Sequence, residues 1–402
     1  MLKKIYNTLG DNFYFCLFYL ITNLIVVTVL KDIPYINILS KIGLVWGIII
    51  VLINTIKIYK RKPTLIELTI FVFLAFTLCL NLIAYRNGEN LKVWAVNSVI
   101  LLAIFCINTN KDTGKLKKEL KVISNAMIIF TFIMSLISTI MYYGNITFTL
   151  NEVIYGDNQG LYIYKNSLAI ASSISILISV YLITEYKKSK YKIFYLLNIF
   201  LQLFPLFYSN GRSAVYLYIA VPFVLIFMRY KNKYFRGAMI VIPAMLSIGG
   251  FAVFHEKLYT VLSARNELWY SAWLSVKNNL FSGVGNSELV ETVYSMRPGV
   301  VLPGIEDGGL HNIYLQIVTA NGIIALILFL IVLYAIFVFL VKSVDKSYGN
   351  NKKVGLVLLS MLVGILFVNL FESNLIYIVS FISIIFWIYT GYFVSIKYSE
   401  KR

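Results

Sequence analysis

Apolar segments of membrane length recur along the whole chain, and no other feature limits its possible folds as strongly. Twelve can be marked, at about 12–30, 38–56, 64–84, 93–108, 122–143, 163–184, 193–208, 213–228, 237–254, 312–341, 354–371 and 375–396. About 20 apolar residues wound as helix cross the ~30 Å hydrocarbon layer. A helix also satisfies its own backbone hydrogen bonds where lipid cannot. Composition agrees, with 59% of the 402 residues hydrophobic and 13% charged, against roughly 25% charged in an ordinary soluble domain. The expected fold is all-α: a polytopic membrane protein of about 12 transmembrane helices. It would be a single integral membrane domain over 1–402, with 255–311 forming a large extracytoplasmic loop that carries interfacial helices.

The formal charge of +18 invites a nucleic-acid partner, but its distribution argues against one. Alternate connections hold Lys3/Lys4, Lys57–Lys62, Lys111–Lys121, Lys187–Lys192, Arg229–Arg236, Lys342–Lys353 and Lys397–Arg402, together 26 of the 36 Lys and Arg. The other connections keep 10, with 11 of the 18 acidic residues. Cytoplasmic loops are the basic ones, so both termini are expected inside, as an even number of spans requires. Lys3 and Lys4 precede an apolar run with no small-residue cleavage site, so that run reads as a retained first span. Cys16, Cys79 and Cys106 lie within apolar runs at unpaired spacing, which supports neither a disulfide framework nor a zinc site.

Four outer segments remain: 144–162, the turn Tyr208–Ser213, the segment 255–311, and a short turn at Glu372-Ser-Asn. Arg212 opens a span after Ser209-Asn210-Gly211. It either snorkels to headgroups or meets an anionic ligand in a wet cavity. Lys165, beside Asn166, sits at a similar boundary. Residues 258–280 read as a helix on which Arg265, Trp269 and Trp273 share one face. Such a helix suits the interface, with Arg265 near phosphate depth. Gly283-Val-Gly285 ends it, and a loop with Arg297 and Pro298 follows.

His311 then heads the longest apolar run. About 30 helical residues measure roughly 45 Å, more than the bilayer core, so a break is expected at Asn321-Gly322, leaving a half-helix over about 311–320. A histidine on its first turn would feel the positive helix end and tend to stay neutral, able to accept a proton. Glu306 and Asp307 are near enough in sequence to tune it. A capping or packing histidine fits the same position, and His255, at another span end, is the bland comparison. Together, Arg212, Arg265 and His311 put two fixed cations and one potential base on one side of the membrane. Guanidinium groups suit a diphosphate, and a neutral imidazole suits deprotonation of a hydroxyl. A polyprenyl-diphosphate-linked sugar already has a good leaving group, and no D-x-D occurs, so no metal or other cofactor is expected.

The blocks Ser209-Asn-Gly-Arg212-Ser, Arg265-x-x-x-Trp269, Asn279-Leu-Phe-Ser-Gly283-Val-Gly285, His311-Asn312-x-Tyr314-Leu and Asn321-Gly322 follow one another in order. Over about 205–340 they resemble the O-antigen ligase and polymerase superfamily, Wzy-type polymerases included. The departure is at Asn210-Gly211, where many members carry bulkier or hydroxylated residues. The resemblance implies a GT-C-like, inverting, metal-independent glycosyltransferase in the cytoplasmic membrane, working on the outer face. It implies His311 as general base, with Arg212 and Arg265 on the donor diphosphate. Asn312, Tyr314, Trp269, Glu306, Asp307, Lys165 and Arg297 are the candidate substrate contacts. Implied partners are an undecaprenyl-diphosphate-linked oligosaccharide donor, a glycan acceptor, membrane lipids and, as protein partners, a chain-length regulator and a flippase. Polymerase and ligase both fit. A transporter would carry inverted repeats or mid-membrane charges, whereas the charges here gather at span ends.

Overall fold

The computed structural model describes residues 9–109, 111–186, 190–254, 262, 265–302, 304–305, 309–377 and 379–400. A helix forms within each of the twelve apolar segments: α1 (Asn12–Val26), α2 (Ile36–Arg61), α3 (Leu65–Leu80), α4 (Gly88–Ile104), α5 (Thr113–Tyr143), α6 (Lys165–Glu185), α7 (Lys192–Tyr208), α8 (Val215–Arg229), α9 (Lys233–Phe254), and then, after two more, α12 (Ile313–Asp345), α13 (Gly349–Val368) and α14 (Phe381–Ser399). The two between are α10 (Arg265–Asn278) and α11 (Leu289–Ser295). Among the described residues, eight helices are long and apolar enough to cross a membrane: α2, α3, α5, α6, α8, α12, α13 and α14. α3 and α8 reach that length with the turns that continue them, as Leu65–Tyr85 and Arg212–Arg229, whereas α1 has 15 residues and α4 and α7 have 17 each, which accounts for part of the gap from twelve. The outer segment 144–162 adds a departure from all-α, an antiparallel hairpin pairing Phe148–Leu150 with Val153–Tyr155.

Burial orders the bundle. α14 and α6 are its centre, with 94% and 78% of their most apolar windows buried inside the protein, while α2 at 22% is its periphery. The helices also sort their connections onto two ends. Lys111 pairs with Asp11 and Glu119, Arg61 reaches the Ile107 carbonyl, Lys117 pairs with Glu185, and Arg236 pairs with Asp345. Asn350 donates to the Thr184 carbonyl and Lys397 to Ser347. These contacts gather the basic connections at one end of the bundle, as the alternation of charge along the chain requires. The hairpin, α10, α11 and the α13–α14 turn occupy the other.

α12 breaks where its length requires. Gly322 takes φ +79° and ψ 174° inside an otherwise helical run of 33 residues. The carbonyls released by the break are recaptured: Thr319 accepts from Val284 N–H at 3.0 Å, and Ala320 accepts from Gly285 N–H at 2.8 Å and from the Tyr85 hydroxyl at 2.7 Å. Lipid would leave those carbonyls unmatched. Gly283-Val-Gly285 is therefore the segment threaded against the broken helix. A Cβ at Gly322 would lie 2.0 Å from the Phe281 carbonyl oxygen, and one at Gly283 would lie 2.4 Å from the Ala320 carbonyl carbon. Only glycine permits both the backbone angles and the approach. α10 and α11 close a small second core, with Leu268, Ala272, Leu289, Val293, Leu302, Ile305, Leu310 and Ala320 buried together.

Candidate active site

The N-terminal ends of α6, α10 and α12 converge on Glu372, in the turn between α13 and α14. Glu372 is 6% exposed. Its Oε1 accepts from Asn166 Nδ2 at 3.0 Å and lies 3.5 Å from Arg265 Nη2. Its Oε2 lies 3.6 Å from His311 Nδ1, and the Ser213 hydroxyl adjoins the same carboxylate. Burial pushes this carboxyl up. The His311 ring, the Arg265 and His311 charges and the Ser213 hydroxyl outweigh burial and hold it below the ordinary glutamate value of 4.5. Arg265 also donates through Nη1 to the Phe371 carbonyl, so its guanidinium is fixed from two directions.

His311 is held in an uncommon backbone state, φ +48°. The residues on either side secure it. Leu310 N–H donates to Gln316 Oε1 at 3.3 Å, its carbonyl accepts from Trp269 Nε1 at 2.8 Å, and Asn312 N–H donates to Ser373 Oγ at 3.1 Å. Strained backbone persists only when its surroundings over-determine it, and such residues cluster at functional sites. Asn312 is the N-cap of α12, its Oδ1 accepting from the Tyr314 and Leu315 amides. His311 thus precedes the cap and does not lie on the first helical turn. With Nδ1 toward Glu372, Nε2 lies under Gly304, where a Cβ would come within 2.4 Å of it.

The other sequence candidates distribute themselves around this centre. Arg212 is exposed on the short turn Arg212–Ala214, adjacent in sequence to Ser213. Lys165 is exposed at the start of α6, adjacent to Asn166. The Asn210-Gly211 departure has a steric reason: a Cβ at Gly211 would lie 2.3 Å from the Ala169 Cβ of α6. Trp269 packs 6.0 Å from the Phe371 ring and holds Leu310, so it braces His311. Tyr314 donates its hydroxyl to the Leu366 carbonyl of α13 at 3.3 Å. Arg297 is engaged elsewhere, 2.5 Å from Glu267 and over the Tyr270 ring. Glu306 and Asp307, like His255, lie outside the described residues. The acidic partner of His311 is instead Glu372, distant in sequence. Among the described residues no three His, Cys, Asp or Glu side chains converge as a metal site needs.

One end of the helical bundle thus gathers a histidine, a buried carboxylate and an arginine. Residues 197–330, from α7 to the upper part of α12, match the family described as O-antigen ligase. Over this third of the chain the protein is similar to the O-antigen ligase and polymerase superfamily, whose members are glycosyltransferase-like enzymes. The match takes in Arg212, Arg265, Arg297 and His311 and stops short of Glu372. No curated protein matches the chain.

Proposed function

We propose that this protein is a membrane glycosyltransferase that polymerises undecaprenyl-diphosphate-linked oligosaccharide repeat units into capsular polysaccharide or O-antigen, outside the cytoplasmic membrane. The observation that carries the reading is Glu372 shared by His311 and Arg265, next in sequence to Phe371, on which Arg265 is also anchored. Twelve crossings, inside termini and a single membrane domain of GT-C type complete the proposal.

The chemistry follows from the geometry. Glu372 orients the imidazole through Nδ1 and leaves Nε2 to take the proton of an acceptor hydroxyl. That oxygen attacks the anomeric carbon of the donor sugar from the face opposite the diphosphate, the carbon–oxygen bond to the diphosphate breaks, and the configuration inverts. Arg265 and the exposed Arg212 stabilise the departing charge, while Lys165 extends the cationic surface. Gly304 must withdraw for an acceptor to reach Nε2, so it acts as a cover over the ring.

Ligase activity is the second reading, favoured by the description of the matching family; it differs only in acceptor. The test supplies purified protein with lipid-linked repeat units and sizes the products. A ladder is expected from wild type, with transfer by His311→Ala reduced roughly 100- to 10,000-fold. Arg212→Ala and Arg265→Ala should also be impaired. Undiminished chain growth in His311→Ala rejects the base, and a single transfer to a lipid or protein acceptor selects ligase.

A further inference from the structure

α10 turns its apolar side into the protein. Leu268, Ala272 and Val276 are buried, the first two in the small second core. A helix lying in a lipid interface does the reverse, setting its apolar face into the acyl boundary and its charges toward water. The face expected to hold Arg265, Trp269 and Trp273 together is also divided. Trp269 packs against Phe371 and holds the Leu310 carbonyl, whereas Trp273 is 46% exposed. The outward strip of α10 reads Glu267, Tyr270, Trp273 and Lys277, spaced three, three and four residues apart. Side chains at those spacings are neighbours on one helix face.

Charged groups brace the two rings of this strip. Tyr270 is 37% exposed, and the Arg297 guanidinium lies 5.2 Å from its ring centroid, itself held by Glu267 at 2.5 Å. Lys277 Nζ lies 5.9 Å from the Trp273 centroid. Each cation is drawn to the electron-rich face of its ring. Aromatic surface open to water and flanked by an ammonium and a carboxylate matches a saccharide. A sugar ring offers C–H bonds on its face, which meet the π-electrons, and hydroxyls at its edge, which can accept from Lys277 and donate to Glu267. A hydrocarbon chain would cover the rings but strip water from the flanking charges without replacing its hydrogen bonds. Position ties the strip to the site: Arg265 opens α10, and Trp273, eight residues on, lies roughly 12 Å further along the helix. A few sugar rings span that interval.

We propose that Tyr270 and Trp273 form a glycan subsite, on which saccharide rings of the substrate stack at a distance from the bond being made. The inference rests on the transferase reading for its substrate, and its binding test needs no turnover.

The full chain in nanodiscs is titrated with lipid-free oligosaccharide of one and two repeat units, released from the lipid-linked donor by mild acid. Wild type is expected to bind both. Trp273→Ala and Tyr270→Ala should bind about tenfold more weakly, and Trp273→Tyr, which keeps a ring, within about threefold of wild type. His311→Ala should bind as wild type does. In transfer assays the loss in Trp273→Ala should appear as a KM raised about tenfold, with kcat within about twofold. Binding without any transfer rejects the transferase reading and leaves the subsite standing. A wild type that does not bind the oligosaccharide, or a Trp273→Ala with unchanged affinity and KM, overturns the subsite. So does a membrane anchor, seen if the fluorescence that Trp273→Phe removes is quenched by brominated phosphatidylcholine and is indifferent to the oligosaccharide.

Discussion

The two ends of the bundle use charge in opposite ways. At the basic end acids and bases pair across elements: Arg61 with Glu67, Lys117 with Glu185 at 2.9 Å, Arg236 with Asp345 at 2.8 Å. Lys111 ties Asp11 and Glu119 together. These contacts cancel charge and fasten helix ends. At the other end one buried carboxylate serves Arg265, His311, Asn166 and Ser213, with Arg212 and Lys165 exposed alongside in sequence. The pairs at the basic end fasten helices to one another, whereas the other end gathers a histidine and an arginine on one buried carboxylate.

Substitutions at the two ends should therefore separate in kind. Glu372→Gln removes the shared charge while keeping the shape, and glycan transfer per folded molecule should fall about tenfold to a hundredfold, with a displaced pH–rate profile, because His311 loses its orienting carboxylate. An unchanged profile would make Glu372 merely structural. Gly304→Ala drives a methyl into Nε2 and strains a φ of +80°. A strain of about 1–3 kcal/mol is expected, with transfer reduced around tenfold and the fold retained by circular dichroism.

Acid should act on the shared carboxylate through stability. The folded pKa of Glu372 lies below its ordinary value of 4.5, so its contribution is complete above that value and is lost as pH falls from 4.5 toward the folded value. The Tm difference between wild type and Glu372→Gln should be flat at neutral pH and shrink in that acidic window. Arg236→Ala breaks a pair at the basic end. It should lower Tm while leaving transfer per folded molecule within about twofold; a large loss of transfer would erase the contrast between the ends.

Much of this was legible in the chain. The α12 break was legible because a 33-residue apolar helix exceeds the bilayer, and Asn321-Gly322 is its permissive point. His311, Arg212 and Arg265 stood out as charged or titratable groups at span ends. Glu372 stood in a recognised outer turn, yet its sequence offers no motif, and Glu306 and Asp307 were nearer to His311 along the chain. Gly283-Val-Gly285 read only as a helix stop, since nothing local announces that its amides capture the Thr319 and Ala320 carbonyls.

The sequence by itself determined a mostly helical membrane chain, the segregation of its basic connections, and the residue types available for chemistry. Those follow from hydropathy, length and charge, which act residue by residue along a helix. Tertiary structure alone decided that Glu372, 61 positions from His311, completes the centre, that Arg297 is turned to Glu267, and that Trp269 packs inward while Trp273 stays exposed. Side-chain partners across helices depend on how helices rotate and pack, and a helix that is apolar all round leaves no stripe in its sequence to fix that rotation.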